Sequence, residues 1–106
     1  MPREQTIVNA ILKYLNSLPC CVAEKVQGTA LSSGKADING CYKGHSLRIE
    51  VKTADNGNMA SKKQLVNLKR WQAAGAFCCV AYTVNDVVEL ICLINKVEKE
   101  VKLCTP

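Results

Sequence analysis

The chain has 106 residues, 48% hydrophobic but only 5% aromatic, and its 14 Lys and Arg against 9 Asp and Glu give a formal net charge of +5. That length suits one domain, 1–106, with an adequate rather than generous core. The longest uninterrupted apolar run, Ala76 to Tyr82, is far too short to span a bilayer.

In chain order, Ile7, Val8, Ile11, Leu12, Leu15 and Leu18 recur at helical spacing, which predicts an amphipathic helix over residues 3–17, ended by Pro19. Cys20 to Gln27 is short and of mixed polarity and reads as a strand, and GTALSSGK is a loop by composition. A β-hairpin follows within Gly34 to Thr53, then a loop, ADNGNMA. Ser61 and Gln64 form an S-x-x-Q capping box for a helix that carries Leu65, Leu68 and Trp71 inward and stops at Gly75. AFCCVAY reads as a buried strand. Thr83 and Asp86 open a last helix whose polar stripe is Asn85, Glu89, Cys92 and Lys96. Ile94, Val97, Val101 and Cys104 keep its period past Lys99, with a terminal strand as the alternative. The order is α-β-β-β-α-β-α.

Two turns compete for the hairpin. Asn39-Gly40 is a strong type I′ signal, yet a turn there wastes the alternation of Leu47, Ile49 and Val51 against Arg48, Glu50 and Lys52. Lys43-Gly44 as a two-residue loop instead pairs Tyr42 with His45, Ile38 with Ile49 and Asn39 with Arg48, so that one face is apolar and the other polar throughout. Asn39-Gly40 is then a bulge or a close backbone approach. In this register Asp37 lies opposite Glu50, with Lys52 one pleat along the same face. Two facing carboxylates roughly 5 Å apart repel, and a hard divalent cation such as Mg²⁺, which takes oxygen ligands, relieves the repulsion. A lysine beside such a cation can position or deprotonate a water.

Between Lys43 and Arg70 the basic residues are Lys43, Arg48, Lys52, Lys62, Lys63, Lys69 and Arg70, opposed only by Glu50 and Asp55. Such a stretch is either a solvated basic face or a footprint for nucleic-acid phosphates. Seven cysteines would mark a disulfide framework in a secreted chain. The charged opening MPREQ carries no signal-peptide core, and a reduced thiol packs as a small hydrophobe in runs such as AFCCVAY. The expected setting is cytoplasmic. A zinc site from the Cys20–Cys21 and Cys78–Cys79 pairs is disfavoured, because adjacent strand residues point to opposite faces. His45, at the hairpin turn, suits solvent or a phosphate contact, and Trp71, at helical spacing, suits the core better than a base-stacking platform. The DNGN segment lacks the later glutamate of a calcium loop and reads as a mobile loop beside the site.

An aspartate, a hairpin and Glu-x-Lys within this element order resemble the PD-(D/E)XK nuclease superfamily. More closely, SGKADINGCYKGHSLRIEVKT followed by SKKQLVNLKRWQAAGA is similar to the small virus-type replication-repair nuclease domain, VRR-NUC, over about Glu4 to Thr83. The resemblance implies an α/β, restriction-endonuclease-like core in which helices flank a central mixed sheet. It implies Mg²⁺, with Mn²⁺ as a substitute and no organic cofactor, held by Asp37, Glu50 and the Val51 carbonyl, with Lys52 orienting the attacking water. Glu4 matches the position of an extra acidic residue, for which Glu24 is the alternative, and Gln64 matches a glutamine at the edge of the site. Ala36 stands where the family has proline.

The function so implied is metal-dependent endonucleolytic hydrolysis of DNA, branched or otherwise structured as in a four-way junction, leaving a 5′-phosphate. Lys43, Arg48, Lys62, Lys63, Lys69 and Arg70 would meet the phosphates. The alternative is a non-catalytic nucleic-acid-binding module that kept the fold. A homodimer is also expected. Val87, Val88, Leu90, Ile91, Leu93 and Ile94 make the last helix apolar over most of its circumference, more than a small domain covers by itself.

Overall fold

The computed structural model describes residues 4–26, 36–53 and 61–103. Helix α1 (Glu4–Ser17) is followed by strands β1 (Cys21–Lys25), β2 (Ile38–Tyr42) and β3 (His45–Val51). Helix α2 (Lys62–Ala73), strand β4 (Phe77–Ala81) and helix α3 (Val84–Leu103) complete the order. The loops expected at 28–35 and 55–58 lie outside the described residues. The strands form one sheet in the order β1-β2-β3-β4, antiparallel except for the parallel β3–β4 pair. A parallel neighbour needs a crossover connection, and α2 supplies it.

The hairpin takes the Lys43-Gly44 turn. Both residues have positive φ, 49° and 85°, as a type I′ turn requires, and Tyr42 pairs with His45, Asn39 with Arg48 and Ile38 with Ile49. Pairing runs unbroken through Asn39-Gly40, so no bulge forms there. The glycine is instead a close approach: a Cβ on Gly40 would sit 3.0 Å from the Val22 carbonyl oxygen and 3.2 Å from the Ala23 Cβ.

Alternation sends Ile38, Tyr42, Leu47, Ile49 and Val51 to one face, where they pack with Val8, Ile11 and Leu15 of α1 and Val87, Leu90, Ile91 and Ile94 of α3. β1 is an edge strand, and its exposed polar groups are capped by a side chain. Asn16 donates from Nδ2 to the Ala23 carbonyl and accepts from the Ala23 N–H, both at 3.0 Å. An edge paired in this way offers less of a template to another chain. α3 continues as helix to Leu103, which decides against the terminal strand. It opens on Asp86, whose Oδ2 accepts from the N–H groups of Tyr82 at 2.8 Å and Thr83 at 3.1 Å. Its expected polar stripe, Asn85, Glu89, Cys92 and Lys96, is exposed. The sheet and α1 cover this helix better than its sequence implies. Of the six apolar residues expected to need a second chain, Val87, Leu90, Ile91 and Ile94 are buried, and Leu93 is the exposed one, at 49%.

Helix α2 lies on the other face, against β3 and β4. Only Leu68 of the three expected inward residues is buried; Leu65 and Trp71 are 42% and 41% exposed. Residues three apart are rotated about 60° from one another around an α-helix, so Leu65 and Trp71 flank the Leu68 contact rather than share it. Among the described residues α2 covers the β3 and β4 half of this face, and Val22 on the β1 side is 69% exposed.

Gly40→Ala should destabilise the protein by about 1–3 kcal/mol, the usual cost of forcing extra atoms into a packed site. The Val22 oxygen is backbone held in the β1–β2 ladder and cannot swing aside. Urea denaturation followed by circular dichroism measures this, and an unchanged midpoint would refute the close approach.

Candidate metal centre

β3 carries Arg48 and Glu50 toward the α2 side, since alternate residues share a face, and Lys52 follows just past its end. Glu50 is 1% exposed, a buried acid on the polar face of the sheet. Buried carboxylates need partners, and its two oxygens are treated differently. Oε2 accepts from Gln64 Nε2 at 2.7 Å and lies 3.4 Å from Lys52 Nζ. Oε1 is buried and has no hydrogen-bond partner among the described residues.

Asp37 reaches this place from just before β2. The ladder ends at Ile38–Ile49, one step short of the Asp37–Glu50 rung that the sequence suggests. Asp37 uses its side chain instead: Oδ2 accepts from the Val51 N–H at 2.8 Å, while its carbonyl accepts from Val26 N–H at 2.8 Å. Strand interiors disfavour aspartate, and here the carboxylate replaces a backbone acceptor. The two acids still meet. Burial pushes the Glu50 carboxyl up to about 8, helped by the charge of Asp37 and only partly opposed by Lys52. At neutral pH, without a cation, Glu50 therefore holds a proton.

Gln64 makes both the helix cap and a contact with Glu50. Its Oε1 accepts from the Ser61 N–H at 2.8 Å, its backbone N–H donates to Ser61 Oγ at 3.1 Å, and its Nε2 is left for Glu50. The capping box that starts α2 thus orients the amide that holds one carboxylate oxygen. Asp37 and Glu50, with the Val51 carbonyl, are the residues that could offer oxygen donors to Mg²⁺ or Mn²⁺, which accept few protein ligands and keep waters. The bare Oε1 fits that chemistry. Among the described residues no group of three His, Cys, Asp or Glu side chains comes together. Glu4, at the start of α1, and Glu24, exposed on β1 opposite Asn39, therefore do not complete such a triad, and neither do the cysteines.

The basic residues divide. Arg70, Lys62, Lys63 and Lys69 lie on α2; Lys62, Lys69 and Arg70 are exposed. Arg48 is half-buried beneath Trp71, its guanidinium carbon 3.8 Å from the ring centre. Lys43 belongs to the far end of the hairpin, where it sits over the Tyr42 ring and 3.4 Å from Asn95 Oδ1. His45 is packed edge-on against Phe77 and lies 3.8 Å from Glu98, with its side chain 32% exposed. Sequence reasoning misses the Arg48–Trp71 stack, since helical spacing alone makes Trp71 a core residue. The pairing of Arg48 with the outer flank of the following helix is its only signal. Arg48, Trp71 and Arg70 border a cleft of about 590 Å³ with Ala36, Asn39, Asn67 and Ala74.

A proton bound by Glu50 in the folded chain, with its carboxyl near 8 against 4.5 when unperturbed, sets a sign for stability. Between those values the folded state binds the proton and the unfolded chain does not, so metal-free stability falls as pH rises. The slope approaches at most about 1.4 kcal/mol per pH unit for one group. Thermal midpoints in EDTA should decline from pH 5 to 8, and Glu50→Gln should remove that decline. An identical decline in Glu50→Gln would show that another group is responsible.

Compared by sequence, the chain matches no protein-family model and no curated protein. Compared by structure, it is similar to a solved structure described as a VRR_NUC domain protein, with a TM-score of 0.66 over 85% of each chain at 17% sequence identity. At that identity the likeness is one of fold. The α-β-β-β-α-β-α order, with helices flanking a four-stranded mixed sheet, is the fold of that VRR_NUC structure.

Proposed function

We propose that this protein is a Mg²⁺- or Mn²⁺-dependent endonuclease that hydrolyses DNA phosphodiesters, with branched or otherwise structured DNA as its substrate. The single observation that carries the reading is the buried Glu50 carboxylate. One of its oxygens is held by Gln64 and Lys52, and the other has no hydrogen-bond partner among the described residues, beside Asp37. The VRR_NUC fold supports a nuclease in general terms. Arg48, Arg70, Lys62 and Lys69 supply positive charge on the same side of the sheet, as phosphate attraction requires.

Asp37, Glu50 and the Val51 carbonyl would hold the cation. When bound, it polarises a phosphoryl oxygen and lowers the pKa of a water. Gln64 holds Glu50 Oε2, so that Oε1 would be left for the cation. Lys52 Nζ, 14% exposed as a side chain and 3.4 Å from Glu50, orients the attacking water and stabilises charge that develops on the phosphoryl group. The Asp37 bond to the Val51 N–H fixes that carboxylate against the strand end. Loss of the 3′ oxygen as leaving group gives a 5′-phosphate product.

Labelled duplex, flap, single-stranded and four-way-junction DNAs, each incubated with Mg²⁺, Mn²⁺ or EDTA, test this directly. Cutting should require the cation and favour the structured DNAs. Asp37→Asn and Lys52→Ala should cut at least ~10²-fold more slowly, a usual loss for a positioned catalytic group. DNA affinity in Asp37→Asn should hold, because removing an anion does not weaken phosphate attraction. Parental cutting by Asp37→Asn would refute the metal centre, and binding without cutting by the parent would favour a non-catalytic binding module.

A further inference from the structure

Trp71 is the single tryptophan of the chain, and it is 41% exposed although it stacks on an arginine. Arg48 lies over the ring at 3.8 Å from its centre and is itself fixed: Nη1 donates to Ser46 Oγ at 2.9 Å and to the Leu47 carbonyl at 2.8 Å. The guanidinium thus covers one face of the indole and holds it in place. Solvent reaches the rest of the ring. The cleft that both residues border is lined also by Arg70, Asn39 and Asn67, and among the described residues by no acidic one. Its volume, about 590 Å³, lies in the range of small-ligand sites. An exposed aromatic beside two arginines and two amides is the chemistry of a nucleotide site: a base stacks on the ring, and its phosphate meets a guanidinium.

The position of the cleft fits this. Arg48 and Glu50 share a face of β3 two residues apart, about 7 Å along the strand. Ala36, next to Asp37, borders the cleft as well. A nucleotide lodged there would be an immediate neighbour of a phosphodiester held at the carboxylates. A base within an intact duplex has both faces covered by its neighbours, so only an unpaired or splayed nucleotide can offer one to Trp71.

We propose that the Trp71–Arg48 cleft binds an unpaired nucleobase by stacking, and thereby selects DNA with an unpaired nucleotide beside the bond to be cut. This rests on the nuclease reading for its biological sense but not for its test. Because Arg48 already holds the ring, little side-chain freedom is lost when a base lands on it.

The test uses binding in EDTA, where no cutting occurs, read for every protein by the anisotropy of a fluorophore on the DNA, with the fluorescence of Trp71 as a second reporter in the parent. Three short duplexes are compared: fully paired, with one unpaired adenosine, and with an abasic site in place of that adenosine. The unpaired adenosine should quench the fluorescence and bind roughly tenfold more tightly than the abasic duplex, as one base stacked on an aromatic side chain does. Trp71→Leu, which keeps apolar bulk over Arg48 without an aromatic face, should bring that ratio close to one, while Trp71→Phe should retain most of it. Equal quenching by adenosine and abasic duplexes, an undiminished ratio in Trp71→Leu, or no binding to any of the three would overturn the proposal. Failure of the parent to cut DNA with Mg²⁺ would leave these readouts intact, so the two readings fail separately.

Discussion

Glu50 is a carboxylate buried in the central part of the sheet, and the surroundings of the site are arranged around that fact. An isolated ionised acid there is untenable, so the group binds a proton, a neighbouring cation or a metal. The structure holds one oxygen with Gln64 and Lys52 and, among the described residues, gives the other no hydrogen-bond partner. A buried acid beside a second carboxylate, with a lysine too weak to cancel the effect on Glu50, makes a site that is uncomfortable when empty. In the proposed function a divalent cation would replace the proton and remove the conflict.

Helix α2 joins this site to the cleft. Its first turn is capped by Ser61 and Gln64, and that same glutamine holds Glu50. Its last turn carries Trp71, which stacks on Arg48 two residues before Glu50. Between them only Leu68 is buried. A helix anchored by so few apolar contacts has low local stability, and its position depends on polar and cation–π contacts made with the functional strand. Changes at either end of α2 are therefore felt at β3.

The hairpin register was legible because a two-residue period leaves little freedom: one choice of turn makes every apolar residue of β3 face the core, and the other does not. That choice brings Asp37 to Glu50, and the capping box is readable because it is local. The remainder depends on contacts that sequence spacing does not encode. Asp37 exchanges a ladder rung for a side-chain bond to the Val51 N–H. Asn16 closes the β1 edge through two bonds to Ala23. Trp71 has the spacing of a core residue but the wrong phase for a helix that touches only half the sheet. Apolar content likewise overstated the open surface of α3, since the chain's own α1 and sheet cover most of it.

The proton on Glu50 gives the most direct test of the central claim that Asp37 and Glu50 form a cation site. Calorimetric titration of Mn²⁺ at pH 7, repeated in buffers of different ionisation enthalpy, measures protons released per ion bound. With the Glu50 carboxyl near 8 in the metal-free protein, close to one proton should leave for each ion, and Glu50→Gln should release none. Tight binding without proton release, or equal release from Glu50→Gln, would contradict the account.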